Sequence, residues 1–264
     1  MRYDEKDKWC PGCQQYLSRR LFYRNASQFD GLAPYCKECW SEICRTRHAR
    51  LRAGLPDKRR TQMGLVRHGY FHRIDRPVQA YVLGLLASDG NVYSDRPRIQ
   101  FAVHEKDRAL TEVVRDELAP GSPILMPACR DYKMAKVHFT SPRMCEDLAS
   151  LGIVPRKSHT LIWPTLLPVV FVNSYLLGIL DGDGWITIDR RKHTPYYTIG
   201  FVSASSAFLE RAAREISAAL DVSAARVDKL NTAFSLRYGG RTATLISGWL
   251  HRDLPGLARK RIPV

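Results

Sequence analysis

The run Val82-Leu83-Gly84-Leu85-Leu86-Ala87-Ser88-Asp89-Gly90 returns 94 positions later as Leu176-Leu177-Gly178-Ile179-Leu180-Asp181-Gly182-Asp183-Gly184. Each copy is an apolar helical stretch with an internal glycine, closed by an acidic residue and then Gly. One Asp-Gly after a helix means little, because Gly is the usual residue just past a helix end. Its repetition constrains the whole fold. The chain holds two copies of one structural unit, and two carboxylates stand in equivalent places.

The flanks repeat as well. A strand-like run (Arg98–Val103) and a helical one (Arg108–Leu118) follow the first copy, then a strand at Lys136–Thr140 and a helix at Met144–Leu151. Strand-like runs at Trp185–Ile188 and Tyr197–Val202 follow the second, then a helix at Phe208–Leu220, a strand at Phe234–Tyr238 and a helix at Thr242–Leu250. Both copies close on a basic pair, Arg156-Lys157 and Arg259-Lys260. The expected class is α+β, with helix, strands, helix, strands and helix written twice.

Small residues recur every four positions on the two motif helices: Ala80, Gly84 and Ser88 in one, Ser174, Gly178 and Gly182 in the other. Residues so spaced form one narrow stripe, and a stripe of small residues lets two backbones approach closely. The motif helices are therefore expected to pack on each other, which places Asp89 and Asp183 side by side. Helix C-termini also carry unsatisfied carbonyls with partial negative charge. Two carboxylates with carbonyl oxygens make a hard-oxygen site suited to Mg²⁺, with Mn²⁺ as a substitute. Ions so held activate water and stabilise a leaving oxygen in phosphodiester hydrolysis. Ser88, beside Asp89, is not among the expected ligands. Asp181 has only Ala87 as its counterpart, so it is expected to serve its local turn.

Nearer the N-terminus, Cys10-Pro11-Gly12-Cys13 and Cys36-Lys37-Glu38-Cys39 form a CxxC pair of knuckles. Four thiolates in two tight turns suit tetrahedral Zn²⁺, and with no position left for water the site reads as structural. Cys44 and His48 are weaker substitutes as ligands. Cys129 and Cys145 read as core cysteines.

The charge is lopsided: 41 Lys and Arg face 26 Asp and Glu, a net of +15. Such an excess points to a polyanion partner, nucleic acid rather than membrane. Residues 45–76 hold ten basic and two acidic side chains, so half of the excess lies in one segment. With few apolar positions, that segment is expected to have little fold of its own and to track DNA phosphates. Neither a transmembrane run nor a secretory leader is present, so a soluble, intracellular protein is expected. The expected divisions are a zinc module (1–44), a basic DNA-contacting linker (45–76) and two repeats (77–160 and 161–264).

The doubled motif resembles the two signature motifs of single-chain LAGLIDADG homing endonucleases, over roughly residues 77–264. The resemblance implies two pseudo-symmetric αββαββα repeats forming a DNA-binding saddle over the major groove. It also implies a monomeric, site-specific double-strand DNA endonuclease of a mobile element, with a long target site and 3′ overhangs. In that family the last acidic residue of each motif binds the catalytic metal, which maps onto Asp89 and Asp183; Lys136, Lys229, Lys157 and Lys260 are candidates for its auxiliary basic groups, and equally for phosphate contacts. Ala87 departs from the usual Asp. A non-cleaving DNA-binding regulator and an RNA-splicing maturase are the alternatives on the same fold. Met1 and Ile262-Pro263-Val264 at the two ends argue for a free-standing enzyme over an intein, cytoplasmic and nucleoid-associated in a bacterium or phage-infected cell. Arg98, Gln100, His104, Thr187, Asp189, Arg191 and Ser203 are expected to point polar groups at base edges.

Overall fold

The computed structural model describes residues 7–25, 28, 30–53, 65–129, 132–190 and 195–263, and the chain divides into two compact units, Met1–Gln62 and Met63–Val264. In the first, strands β1 (Asp7–Cys10) and β2 (Gln15–Ser18) pair as one hairpin, β3 (Phe22–Arg24) and β4 (Leu32–Cys36) as another, and helix α1 (Lys37–Arg52) follows. Among the described residues only Cys10, Phe22 and Cys36 are buried there, with Leu17, Leu32 and Tyr35 packed round them. So small a core does not offset the chain entropy of its own folding.

Helix α1 corrects one expectation. The basic segment that begins at Arg45 starts as the second half of this helix, with Arg45, Arg47 and His48 exposed. Arg and Ala are good helix formers, so low apolar content did not forbid a helix already started at the second knuckle. The far end of the segment belongs to the second unit: Tyr70, Phe71 and Ile74 are buried, and the Tyr70 hydroxyl donates to Glu117 Oε2 (2.7 Å). Lys58, Arg59 and Arg60 lie outside the described residues.

The second unit is the repeat made visible. Helix α2 (Pro77–Ser88) leads into β5 (Gly90–Val92), β6 (Arg98–His104), α3 (Arg108–Leu118), β7 (Ala128–Cys129), β8 (Tyr132–Thr140) and α4 (Pro142–Ser150). Helix α5 (Val172–Asp183) leads into β9 (Trp185–Asp189), β10 (Tyr196–Ser203), α6 (Ser206–Leu220), β11 (Val227–Lys229), β12 (Phe234–Gly239) and α7 (Gly240–Leu250). Each half is therefore αββαββα. The two sheets have the same order, β5-β6-β8-β7 and β9-β10-β12-β11, all antiparallel. Phe101 opposite Val137 in one corresponds to Phe201 opposite Leu236 in the other.

Local chemistry explains the boundaries. Gln79 reaches back from the third position of α2, its Oε1 accepting from the amides of Asp75 and Arg76 (3.0 Å each), a side-chain cap on otherwise orphaned donors. Ser141 and Ser205 cap α4 and α6, each Oγ accepting from the amide three residues on. The outer helices are amphipathic, whereas Gln79–Ala87 of α2 and Val172–Asp181 of α5 are buried all round. A helix apolar on every side belongs at the centre. No helix among the described residues is long and apolar enough to cross a membrane.

Candidate active site

The motif helices meet at their glycines. A methyl group on Gly84 would run into the Tyr175 carbonyl and lie 3.0 Å from the Gly178 Cα; one on Gly178 would run into the Tyr81 carbonyl and lie 2.8 Å from the Leu85 amide. The collision is reciprocal, as a twofold relation requires. Further along, a methyl on Gly182 would lie 2.8 Å from Asp89 Oδ2. The Asp89 carboxylate thus stands against the residue before Asp183, and the small-residue stripe brings the two acids together as expected.

The electrostatics record that proximity. Burial, then the Asp183 charge, push the Asp89 carboxyl up to about 6, while Lys157 and Lys260 pull it back. Asp183 is more open to solvent, yet its surroundings also raise its pKa, again against the same two lysines. Neither carboxylate has a salt-bridge partner among the described ion pairs. Two like charges held together call for a cation, and two carboxylates with space for waters and phosphate oxygens fit Mg²⁺.

The helix-end carbonyls, however, are not free for that ion. Lys157 Nζ donates to the carbonyls of Ser88 (3.1 Å) and Gly90 (2.6 Å). Lys260 Nζ donates to those of Leu180 (2.8 Å), Asp181 (2.8 Å) and Gly182 (3.1 Å). Both lysines are buried, and burial lowers their pKa while the nearby aspartates raise it. The ends of two helices carry partial negative charge, and a buried ammonium is a matching cap. The lysines of the matched basic pairs are therefore clamps on the motif helices.

Lys136 and Lys229 form no such pair. Lys136 lies on β8 opposite Ala102, a position that in the second repeat is Ser235; Lys229 ends the edge strand β11, opposite Phe234. Arg98, Gln100 and His104 lie on the face of their sheet turned from the helices, with Lys136 and His138 beside them. His138 is held below its ordinary range by burial and by Arg98 and Lys136. Thr187 and Asp189 share the corresponding face of the second sheet with Arg237. Ser203 does not: it has the parity of Ile199 and Phe201, which face the helices, and its Oγ accepts from the Ser205 amide. A strand's faces alternate, so an odd number of residues decides the side. Arg191 lies outside the described residues.

Asp181 does not serve a local turn. It is buried, and its Oδ2 accepts from the Tyr81 hydroxyl (2.7 Å) on the opposite helix and from the Leu257 amide (3.0 Å). Tyr81 was legible in principle, since Tyr175 is its exact counterpart in the repeat. Ala87, at the matching position, lines a small cavity of about 60 Å³ beside Asp183, together with Ser88, Lys157, Ser158 and Ser203.

In the first unit the four expected thiols converge: the sulfurs of Cys10, Cys13, Cys36 and Cys39 all lie within 4.8 Å of one another. Cys44 stands outside the cluster, Cys145 is half-buried against the core of the second unit, and the Cys129 side chain is not described. Gly12 is required, because a methyl there would lie 2.8 Å from Cys39 Cβ and Sγ. Burial opposes ionisation at Cys10, but the amides of Cys36, Cys13 and Gly12 outweigh it and bring that thiol down to about 6. Cys39 moves upward, chiefly because it shares a hydrogen bond with Cys36. An all-sulfur tetrad fits Zn²⁺.

No protein-family model and no curated protein matches the chain. Among solved structures, it is similar to the N-terminal LAGLIDADG domain of DUF199/WhiA at 16% identity, over 69% of this chain and 82% of that one, with a TM-score of 0.46. It is likewise similar to the LAGLIDADG meganuclease I-AabMI bound to uncleaved DNA (13% identity, 70% and 86% covered, TM-score 0.45). Mesophilic variants of the homing endonuclease I-DmoI give 16% identity, 66% and 94% covered, and a TM-score of 0.44. The likeness is one of fold.

Proposed function

We propose that this chain is a site-specific double-strand DNA endonuclease, complete as a monomer, in which Asp89 and Asp183 hold the divalent metal. The observation that carries the reading is the pair itself: two carboxylates forced together by helices that touch through glycine, raised in pKa, and without salt-bridge partners of their own. A structural role alone would favour a neutral or paired arrangement, since uncompensated charges in a low-dielectric site are costly. When bound, Mg²⁺ supplies water activation and stabilisation of the leaving oxygen.

The chain's own residues do the rest. Asp89 and Asp183 bind and orient the ion, one presented by each repeat, so that each is aligned with one DNA strand. Lys157 and Lys260 hold the two helix ends in register and temper the negative charge between them. The open faces of the two sheets read base edges through Gln100, Arg98 and Arg237, and Lys136 and Lys229 meet phosphates. The thiol tetrad holds structural Zn²⁺, and its module, with the exposed arginines of α1, adds sequence-independent grip on DNA.

The test is cleavage of duplex DNA spanning the insertion site of the coding gene, in Mg²⁺ and in EDTA. A double-strand break in Mg²⁺ that vanishes in Asp183→Asn and Asp89→Asn is the expected result. A break that persists in Asp183→Asn overturns the mechanism. Tight duplex binding with no cleavage in Mg²⁺ or Mn²⁺ would place the chain with non-cleaving regulators, and preference for intron RNA with maturases.

A further inference from the structure

The two lysine clamps are equivalent, yet they are fastened by different means. Lys157 begins a short turn (Lys157–His159), and a few residues on Trp163 packs against Tyr175 of α5 (centroids 5.5 Å, edge-on) and Phe208 of α6 (5.8 Å). That segment is held by aromatic packing. Lys260 ends the matching turn (Ala258–Lys260), and the residue that starts it, Leu257, is tied by its amide to Asp181 Oδ2. The same oxygen accepts from Tyr81, the counterpart of Tyr175. Where the first clamp uses a ring against a tyrosine, the second uses a carboxylate between a tyrosine and the backbone. Ala87 cannot do this on the other side.

We infer that Asp181 is a positioning residue: through Leu257 it fixes the turn that delivers Lys260 to the end of α5. Its side chain grips the start of the turn, and its own carbonyl is one of three that receive the ammonium at the end. This segment is also held by the Arg259–Asp107 ion pair (2.7 Å), by the Ile262 amide bonded to Ser247 Oγ (3.0 Å), and by packing of Leu254, Leu257 and the buried Ile262 against the core. Both polar holds lie beyond the Leu257 amide, so losing Asp181 removes the polar tie at the start of the turn while the packing and the later contacts keep the segment attached. The position of Lys260 itself is independent of function; only its consequence for cleavage rests on the endonuclease reading.

The test is competitive acetylation of the folded full-length chain, read by mass spectrometry, with Lys157 as the internal reference. Both lysines are buried in the wild type and are expected to react slowly. In Asp181→Ala, Lys260 is expected to react about tenfold faster relative to Lys157, the scale of one lost hydrogen bond to a charged group. Asp181→Asn keeps an acceptor oxygen and should restore protection; Tyr81→Phe, which removes the helix-to-helix bond alone, should leave Lys260 protected. Equal gains at both lysines, as global loosening would give, overturn the inference, and so does no gain at Lys260. If the chain cleaves DNA, Asp181→Ala should also slow one strand several-fold more than the other, so that a nicked product accumulates. Equal slowing of both strands would overturn the one-sided role. Selective labelling in a chain that does not cut would sink the endonuclease reading alone.

Discussion

Gly84 and Gly178 share one contact: each lacks the side chain that would strike the backbone of the other's helix, at the Tyr175 carbonyl and the Tyr81 carbonyl respectively. This contact sets the spacing of the whole second unit, and with it the separation of Asp89 and Asp183. Gly178→Ala forces a methyl into a backbone that cannot yield as a side chain would. We expect a loss of about 3 kcal/mol or more in denaturant unfolding, at the upper end of overpacking effects. A loss below about 1 kcal/mol would mean that the helices are not in backbone contact.

Asp89 is a largely buried carboxylate whose ionisation costs stability. Its folded pKa, raised to about 6, lies above the unfolded value, so folding favours the protonated form. The contribution of Asp89 is therefore most favourable at acid pH and is lost as pH rises from near the unfolded pKa through about 6. In EDTA at pH 7.5, Asp89→Asn should be more stable than the wild type by on the order of 1 kcal/mol, after discounting for its solvent-open side. Near pH 4 the difference should vanish. A difference between Asp89→Asn and the wild type that does not grow from pH 4 to 7.5 in EDTA would contradict the electrostatic account.

Lys157→Met and Lys260→Met keep the apolar stem of the lysine and remove the donor. The carbonyls of Ser88 and Gly90, or of Leu180, Asp181 and Gly182, then lose their buried partner. Thermal unfolding should report a loss of about 2–4 kcal/mol for either variant, the range for orphaned buried groups. Near-neutral substitutions would show that water replaces the ammonium.

Cys36→Ser should release the metal from the first unit, as a chromogenic chelator would register, and weaken DNA binding without altering the unfolding transition of the second unit. Cys36 is one thiol of the tetrad, and its backbone amide donates to Cys10 Sγ (3.3 Å). Unchanged DNA affinity would make the module a scaffold or protein-binding element.

The sequence by itself determined what is local or repeated. The doubled motif, the helices Arg108–Leu118 and Phe208–Leu220, the central strands and the four cysteines could all be read from periodicity and spacing, because those signals arise between neighbours along the chain. The small-residue stripe also foretold which helix faces meet, because Ala80, Gly84 and Ser88 recur as Ser174, Gly178 and Gly182 at the same places of the repeated motif. Tertiary structure decided everything that depends on which distant groups arrive together. Lys157 and Lys260 had to be placed before their ammonium groups could be seen on helix-end carbonyls. Asp181 had the same local context as any turn acid; its partners, Tyr81 and Leu257, are 100 and 76 positions away. Ser203 turned inward because a strand's register is set by its neighbours, and the basic run after Cys44 continued as helix because the knuckle had already nucleated one. A hydrogen bond between remote residues leaves no period in the sequence, so the fastening of the two clamps became legible only once the chain had closed on itself.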